Sequence, residues 1–196
     1  MEQTLDIPIF PLNTVLFPGG RLPLRIFEVR YVDMTKACIR DDGVFGVCQI
    51  LDGKEVGAPA VSAPLGCTAR IREWEVPTPG LFNLVCGGER VFRILEQRVQ
   101  PDGLIRAEVI LEEPREPRVL PPSHKMLGSM LGEILKKIGV QHFEQPARLE
   151  DAQWVGYRLA EILPLSRDQK LQLLQERDPW VVLEQIQQAV LDLPDS

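Results

Sequence analysis

PIFPLNTVLFPGGRLPLRIFEVRY, running from Pro8 to Tyr31, is the stretch on which the fold turns. Prolines at 8, 11, 18 and 23 fix the backbone and remove hydrogen-bond donors, so the chain here must form short extended pieces joined by tight turns rather than a helix. Leu5 to Phe10 and Leu22 to Ile26 read as strands, with Pro18-Gly19-Gly20 as the turn between them. Phe10, Phe17 and Phe27 are expected to fill the core beneath this unit, and Arg25 and Glu28 to form an internal ion pair. A helix follows. Phe27, Tyr31, Met34 and Cys38 recur at intervals that place them on one face, with Glu28, Arg30, Asp33 and Arg40 pointing away. Asp41-Asp42-Gly43 should end it, Gly43 taking the left-handed conformation.

Working outward, further strands are expected at Val44 to Leu51, Cys67 to Val76, Leu81 to Cys86, Arg90 to Val99 and Leu104 to Glu112. Pro101-Asp102-Gly103 joins the last two as a hairpin. In the final strand Ile105, Ala107, Val109 and Leu111 alternate with Arg106, Glu108 and Ile110, so one face packs and the other is largely wet. After Pro121-Pro122 the period becomes helical. Leu127, Met130, Leu131, Ile134, Leu135 and Ile138 form one stripe and Val155, Leu159, Ile162 and Leu163 another. Ser166 and Gln169 have capping-box spacing ahead of a helix that should bury Leu171 and Leu174. Asp178-Pro179 opens the last helix, whose stripe is Leu183, Ile186 and Val190. Thirteen of the 17 prolines precede residue 123, and the expected division is 1–118 for the β-rich part and 119–196 for a helical bundle.

Composition excludes several classes of function. Residues 1–118 carry 14 Lys+Arg against 17 Asp+Glu and residues 119–196 carry 8 against 11, so both parts are acidic and no nucleic-acid surface is expected. No apolar run reaches the roughly 20 residues of a spanning helix, which leaves no membrane partner. The first residues lack a basic leader with an apolar stretch, so the mature chain is expected to start at Met1. Cys38, Cys48, Cys67 and Cys86 show no metal-ligand spacing and read as small core hydrophobes in a reducing cytoplasm.

The Pro8 to Tyr31 segment resembles the opening of Lon protease amino-terminal domains, especially the form in cereblon and in short bacterial Lon-domain proteins. Phe45-Gly46-Val47, Gly66-Cys67-Thr68-Ala69 and Gly88-Glu89-Arg90-Val91-Phe92-Arg93-Ile94 are similar to later family segments in order and spacing. The likeness loosens after residue 112 and is echoed at Leu163-Pro164-Leu165 and Lys170 to Leu174. It implies an α+β fold: a PUA-like curled antiparallel β-sheet or pseudo-barrel with one inserted helix, followed by a C-terminal helical bundle. It also implies a non-enzymatic module that binds unfolded polypeptide or a partner protein, with no cofactor. Full-length Lon adds an ATPase and a serine-lysine peptidase, and these 196 residues hold no G-x-x-x-x-G-K-[ST] phosphate loop.

Chemical constellations are sparse. His124 and His142 lack partners at ligand spacing and read as solvated or capping residues; Ser123 and Lys125 point apart on a helix, so Ser123 reads as an N-cap. Strand alternation from Cys67, Ala69 and Ile71 puts Arg70, Arg72 and Trp74 on the opposite face, where an aromatic beside arginines suits a protein contact. Trp74, Arg72 and Phe17 are therefore the expected peptide- or partner-binding residues, with the competing expectation that Trp74 lies under the helical part. The alternative function is a small-molecule-binding or hydrolytic enzyme with a cleft between sheet and helices. RNA binding is a third option that the acidic charge disfavours, and the residues specify no oligomeric state.

Overall fold

The computed structural model describes residues 3–139, 143 and 145–193; His142 lies outside the described residues. The chain divides into two compact units, Met1–Pro114 and Arg115–Ser196, so the division falls inside the proline-rich connector and ahead of the expected residue 118.

The first unit comprises β1 (Gln3–Leu12), β2 (Arg21–Ile26), α1 (Val29–Asp41), β3 (Val44–Asp52), β4 (Val61–Thr78), β5 (Leu81–Val99) and β6 (Ile105–Leu111). Strand order is β2-β5-β4-β3-β1-β6, and β5 also pairs with β6, so five strands close on themselves while β2 remains an edge. Only β1 and β3 run parallel, which requires the crossover supplied by β2 and α1. The strands at 81–86 and 90–99 that the sequence separates are one strand, because Gly87 and Gly88 continue the ladder rather than break it.

Two cores result. Inside the closed strands lie Ile7, Ile9, Cys48, Phe92, Ile105, Ala107, Val109 and Leu111. Between α1 and the outer face of the sheet lie Phe10, Leu12, Tyr31, Met34, Cys38, Phe45, Val47, Cys67, Leu84 and their neighbours. Alternate residues of β1 and β3 thus enter different cores, which is why Ile7 to Leu12 and Phe45 to Ile50 are buried throughout. The interior is narrow. A Cβ on Gly46 would come within 2.6 Å of the Phe92 ring and one on Gly66 within 2.7 Å, so these two positions leave the room that Phe92 occupies. Gly88 plays a similar part outside: it exchanges backbone hydrogen bonds with Gly19 (2.8 Å) and Gly20 (2.9 Å), and its Cα is pressed against the Phe17 carbonyl.

Where α1 begins differs from expectation. Glu28 is the N-cap, so Phe27 precedes the helix and is 54% exposed, while Tyr31, Met34 and Cys38 do face the core. Arg30 points inward and is buried. It donates to the carbonyls of Gly57 (2.7 Å) and Gly103 (2.9 Å) and to Glu28 Oε2 (3.1 Å), and its guanidinium lies 4.6 Å from the centroid of the Tyr31 ring. Glu28 therefore pairs with Arg30 rather than Arg25. At the other end of α1, Asp42 takes the left-handed conformation (φ 47°) in place of Gly43, a substitution aspartate tolerates.

All four cysteines are free and buried. Burial pushes the Cys38 thiol up to about 11 and the Cys86 thiol up to about 12, so both remain protonated core groups at neutral pH.

The second unit contains α2 (Lys125–Ile138), α3 (Ala152–Ile162), α4 (Arg167–Gln175) and α5 (Pro179–Leu191). Leu127, Leu131 and Leu135 of α2, Val155 and Leu159 of α3, and Leu183 and Ile186 of α5 are buried. The Ser166/Gln169 capping box is formed, and Asp178 Oδ1 accepts from Trp180 N at 3.0 Å. In α4 the fully buried pair is Leu173 and Leu174, with Leu171 half-buried. Ser123 does not cap α2: it lies in a 3-10 turn, Pro122–His124, with its hydroxyl 2.9 Å from His124 Nδ1, and His124 is buried. Arg158, with no exposed surface, pairs with Glu161 at 2.9 Å.

Replacing Arg30 by methionine should lower the unfolding free energy by about 3 kcal/mol or more, because the Glu28 carboxylate and two loop carbonyls lose a buried cationic donor; urea denaturation measures it. Asp6 on β1 is gripped by Arg106 of β6 (2.7 Å) and by Arg98 of β5. Burial alone would raise its carboxyl, but those hydrogen bonds hold it below the ordinary aspartate value. A depressed folded-state value stabilises above the unfolded pKa and is lost as pH falls through the folded one. Asp6→Asn should therefore destabilise by under about 1 kcal/mol at neutral pH, the site being half-exposed, with the difference from wild type fading in acid. Urea midpoints at neutral pH and near the folded-state pKa would check this.

Candidate binding face on β2, β5 and β4

Cys67 and Ala69 of β4 are fully buried and Ile71 packs against the same core, as alternation demands. Arg70 then stands on the opposite face, its Nε 2.7 Å from Glu89 Oε1. Alternation fails at the next step. Ile71 pairs with Cys86 and Glu73 with Val85, so Arg72 is an extra residue, a β-bulge. Beyond it Trp74 pairs with Leu84, whose side chain belongs to the α1-side core. Paired residues share a face, so Trp74 lies on the core side, its ring 6.3 Å from that of Phe82.

Arg72 remains on the other face, where its Nη2 donates to Glu89 Oε1 at 3.1 Å and its Nε lies 2.9 Å from where a Cβ on Gly87 would sit. Arg72 and Trp74 are therefore separated by the thickness of the sheet and cannot form one contact. Phe17 has no exposed surface, since its turn is folded onto Gly88, which removes it from any surface site. Of the three residues read from the sequence, Trp74 alone is exposed on this apolar face.

Its neighbours come from a register that the sequence does not display. Leu24 of β2 pairs with Leu84 of β5, which pairs with Trp74 of β4, and Ile26 pairs with Phe82 one step along. These rows continue the α1-side core toward the hairpin tip of β4 and β5, where they become exposed. Trp74 is 53% exposed and Val76 45%; Phe27, just past the end of β2 and next to the core-facing Ile26, is 54% exposed but has no partner in these rows. The reverse face is polar: Arg21 bonds Glu73 at 2.9 Å and Asn83 Nδ2 bonds Glu75 at 2.6 Å. A shallow depression of about 210 Å³ is lined by Glu73, Trp74, Glu75, Asn83, Leu84 and Val85. An open apolar shelf with acidic groups on its edge strand suits contact with a polypeptide better than enclosure of a small molecule. Phe27 escapes a sequence reading because its spacing to Tyr31 fits a helix face, and Glu28, at the N-cap position without a side-chain capping bond, gives no signal of where the helix starts.

Three comparisons bear on this arrangement. The family model described as the ATP-dependent protease La (LON) substrate-binding domain matches residues 6–190. The chain is 31% identical over 140 residues to Lon protease 2 of Myxococcus xanthus, covering 70% of this chain and 16% of that protein. It is 33% identical over 123 residues to protein cereblon of Gallus gallus, covering 59% of this chain and 25% of that protein. The chain thus spans a quarter or less of the length of these curated relatives. Among solved structures, a Lon N-terminal domain protein from Xanthomonas campestris aligns with a TM-score of 0.79 at 40% identity, covering 97% of this chain and 99% of that one. The N-terminal domain of the Mycobacterium avium complex Lon protease aligns with a TM-score of 0.68 at 19% identity, covering 97% and 100%, a likeness of fold.

Two alanine variants should separate surface from core here. Trp74→Ala should cost less than about 1.5 kcal/mol of stability, its loss confined to packing on Phe82, whereas Phe17→Ala should cost about 3–5 kcal/mol. Thermal unfolding of both, followed by circular dichroism, tests the assignment.

Proposed function

Since the chain belongs to the family of the Lon substrate-binding domain, we propose that it is a non-enzymatic module that recognises polypeptide, in unfolded segments or in a partner protein. The observation that carries this reading is the family match across residues 6–190, which takes in both units rather than one shared element. The surface is in keeping with it. Trp74 and Val76 present large apolar side chains near the tip of the β4–β5 hairpin, and such residues gain more from contact with an apolar segment than from water. The first unit is a scaffold that holds this end still: its glycines, prolines and Arg30 specify turns and packing. No helix among the described residues is long and apolar enough to cross a membrane. The same reading places the module in the cytoplasm, where free thiols such as these four persist reduced.

Binding of a fluorescently labelled, permanently unfolded protein, such as reduced and carboxymethylated α-lactalbumin, should be saturable, and the native form should not compete. Trp74→Ala with Val76→Ser should weaken it by about tenfold or more. Absence of binding to several unfolded proteins, with the circular dichroism of a folded chain, would sink the proposal.

A further inference from the structure

The pairing of β3 with β4 stops at Val44 and Arg70. From Glu73 to Glu75, β4 is held on one side only, by β5, through Glu73 with Val85, Trp74 with Leu84 and Glu75 with Asn83, and a second register shift lies between Glu75 and Thr78. Among the described residues no strand takes the opposite edge, and every residue from Arg72 to Gly80 is exposed. Alternate backbone N–H and C=O groups along this edge therefore face outward without a ladder partner, the condition under which an extended chain adds as a further strand.

Other edges of this kind are commonly blunted by proline. In β2, Pro23 sits at the centre of the strand and leaves that edge a donor short. On β4 the nearest proline is Pro77, which bounds the open stretch without interrupting it. Bulges increase local twist, and the one at Arg72 falls between the end of the β3 pairing and the open stretch.

We propose that the outer edge of β4 from Glu73 to Glu75 accepts an added strand from an extended polypeptide that carries apolar side chains on one face and a basic side chain opposite Glu75. The proposal rests on the polypeptide-recognition reading and names the place and chemistry of that contact. Alternation dictates both halves of the pattern. Trp74 would flank the incoming strand on the α1 side, where its apolar side chains would continue the exposed shelf. Glu73 and Glu75 would flank it on the reverse side. Glu73 already has Arg21 at 2.9 Å. Glu75 is bonded to the neutral amide of Asn83, and among the described residues no cation pairs with it, so it is the charge that a lysine or arginine on the incoming strand would meet. An acidic or uniformly apolar segment lacks that complement.

The test uses the full chain and a capped synthetic peptide of about nine residues alternating leucine with lysine. Its comparators are the same peptide with glutamate in place of lysine and two versions N-methylated at one or the other alternate set of backbone nitrogens. Binding is read from ¹⁵N amide shifts and hydrogen exchange. The parent peptide should protect edge amides within residues 73–75, and one N-methylated set and the glutamate peptide should each bind about tenfold or more weakly. Glu75→Lys should reverse the charge preference, with Glu75→Gln abolishing it if the lysine variant folds poorly. Equal affinity of parent and both N-methylated peptides, or shifts confined to other surfaces while unfolded protein still binds, would overturn the edge proposal and leave the module reading standing. Binding of neither peptide nor unfolded protein removes both. Concentration-dependent self-association that occupies the same amides and is not displaced by peptide would assign the edge to a second copy and likewise overturn it.

Discussion

A single buried guanidinium holds the first unit together at the point where its local pieces meet. Arg30 lies on the first turn of α1, yet the carbonyls it bonds belong to Gly57, in the loop between β3 and β4, and to Gly103, in the hairpin between β5 and β6. Glu28, the cap of the same helix, accepts from Arg30 and from the Gly57 amide at 3.3 Å, which neutralises the charge and fixes the loop from a second direction. Tyr31 then covers the guanidinium and packs its ring 4.1 Å from that of Phe10 in β1. An uncompensated cation in this place would be costly, so the loops have to arrive where they do.

From that point the two cores follow. With α1 seated, the outer face of β1, β3, β4 and β5 is covered, and the strands must curl to bury the other face on itself. The Asp6, Arg98 and Arg106 cluster sits where β1, β5 and β6 come together and offsets the juxtaposition of two arginines that face each other across β5 and β6. What α1 leaves uncovered is the far end of β2, β5 and β4. The exposed shelf is thus the remainder of a core that is longer than the helix covering it, rather than a separate feature laid on the surface. The helical unit is built by simpler means, with caps at Asp151, Ser166 and Asp178 fixing where α3, α4 and α5 start.

Much of this was legible from residues alone: the hairpin at Pro101 to Gly103, the alternation of β6, the capping box at Ser166, the proline cap at Asp178, and the family resemblance of the opening segment. The features that were not legible share a cause. Arg30 reads as a solvated charge because its partners are backbone carbonyls 27 and 73 residues away, and carbonyls have no residue type. Phe27 fits helical spacing, but one residue of capping shifts it off the helix. The face of Trp74 depends on the Arg72 bulge, which is a property of two strands in register rather than of either strand's pattern. Phe17 carries two readings, as a core residue and as a binding residue, and its turn's close approach to Gly88 decides for the core. The sites hardest to read are those where tertiary contact decides which side of an element is inside.

The fit of Phe92 between Gly46 and Gly66 carries a consequence for how such chains diverge. The three positions lie on different strands, but a Cβ on Gly66 would also run into the Val47 carbonyl oxygen, so Gly66 stays fixed and the exchange open to a lineage is between Gly46 and the aromatic: enlarging that glycine means shrinking the ring. Substitutions there should travel together across descendants, as linked exchanges of bulk.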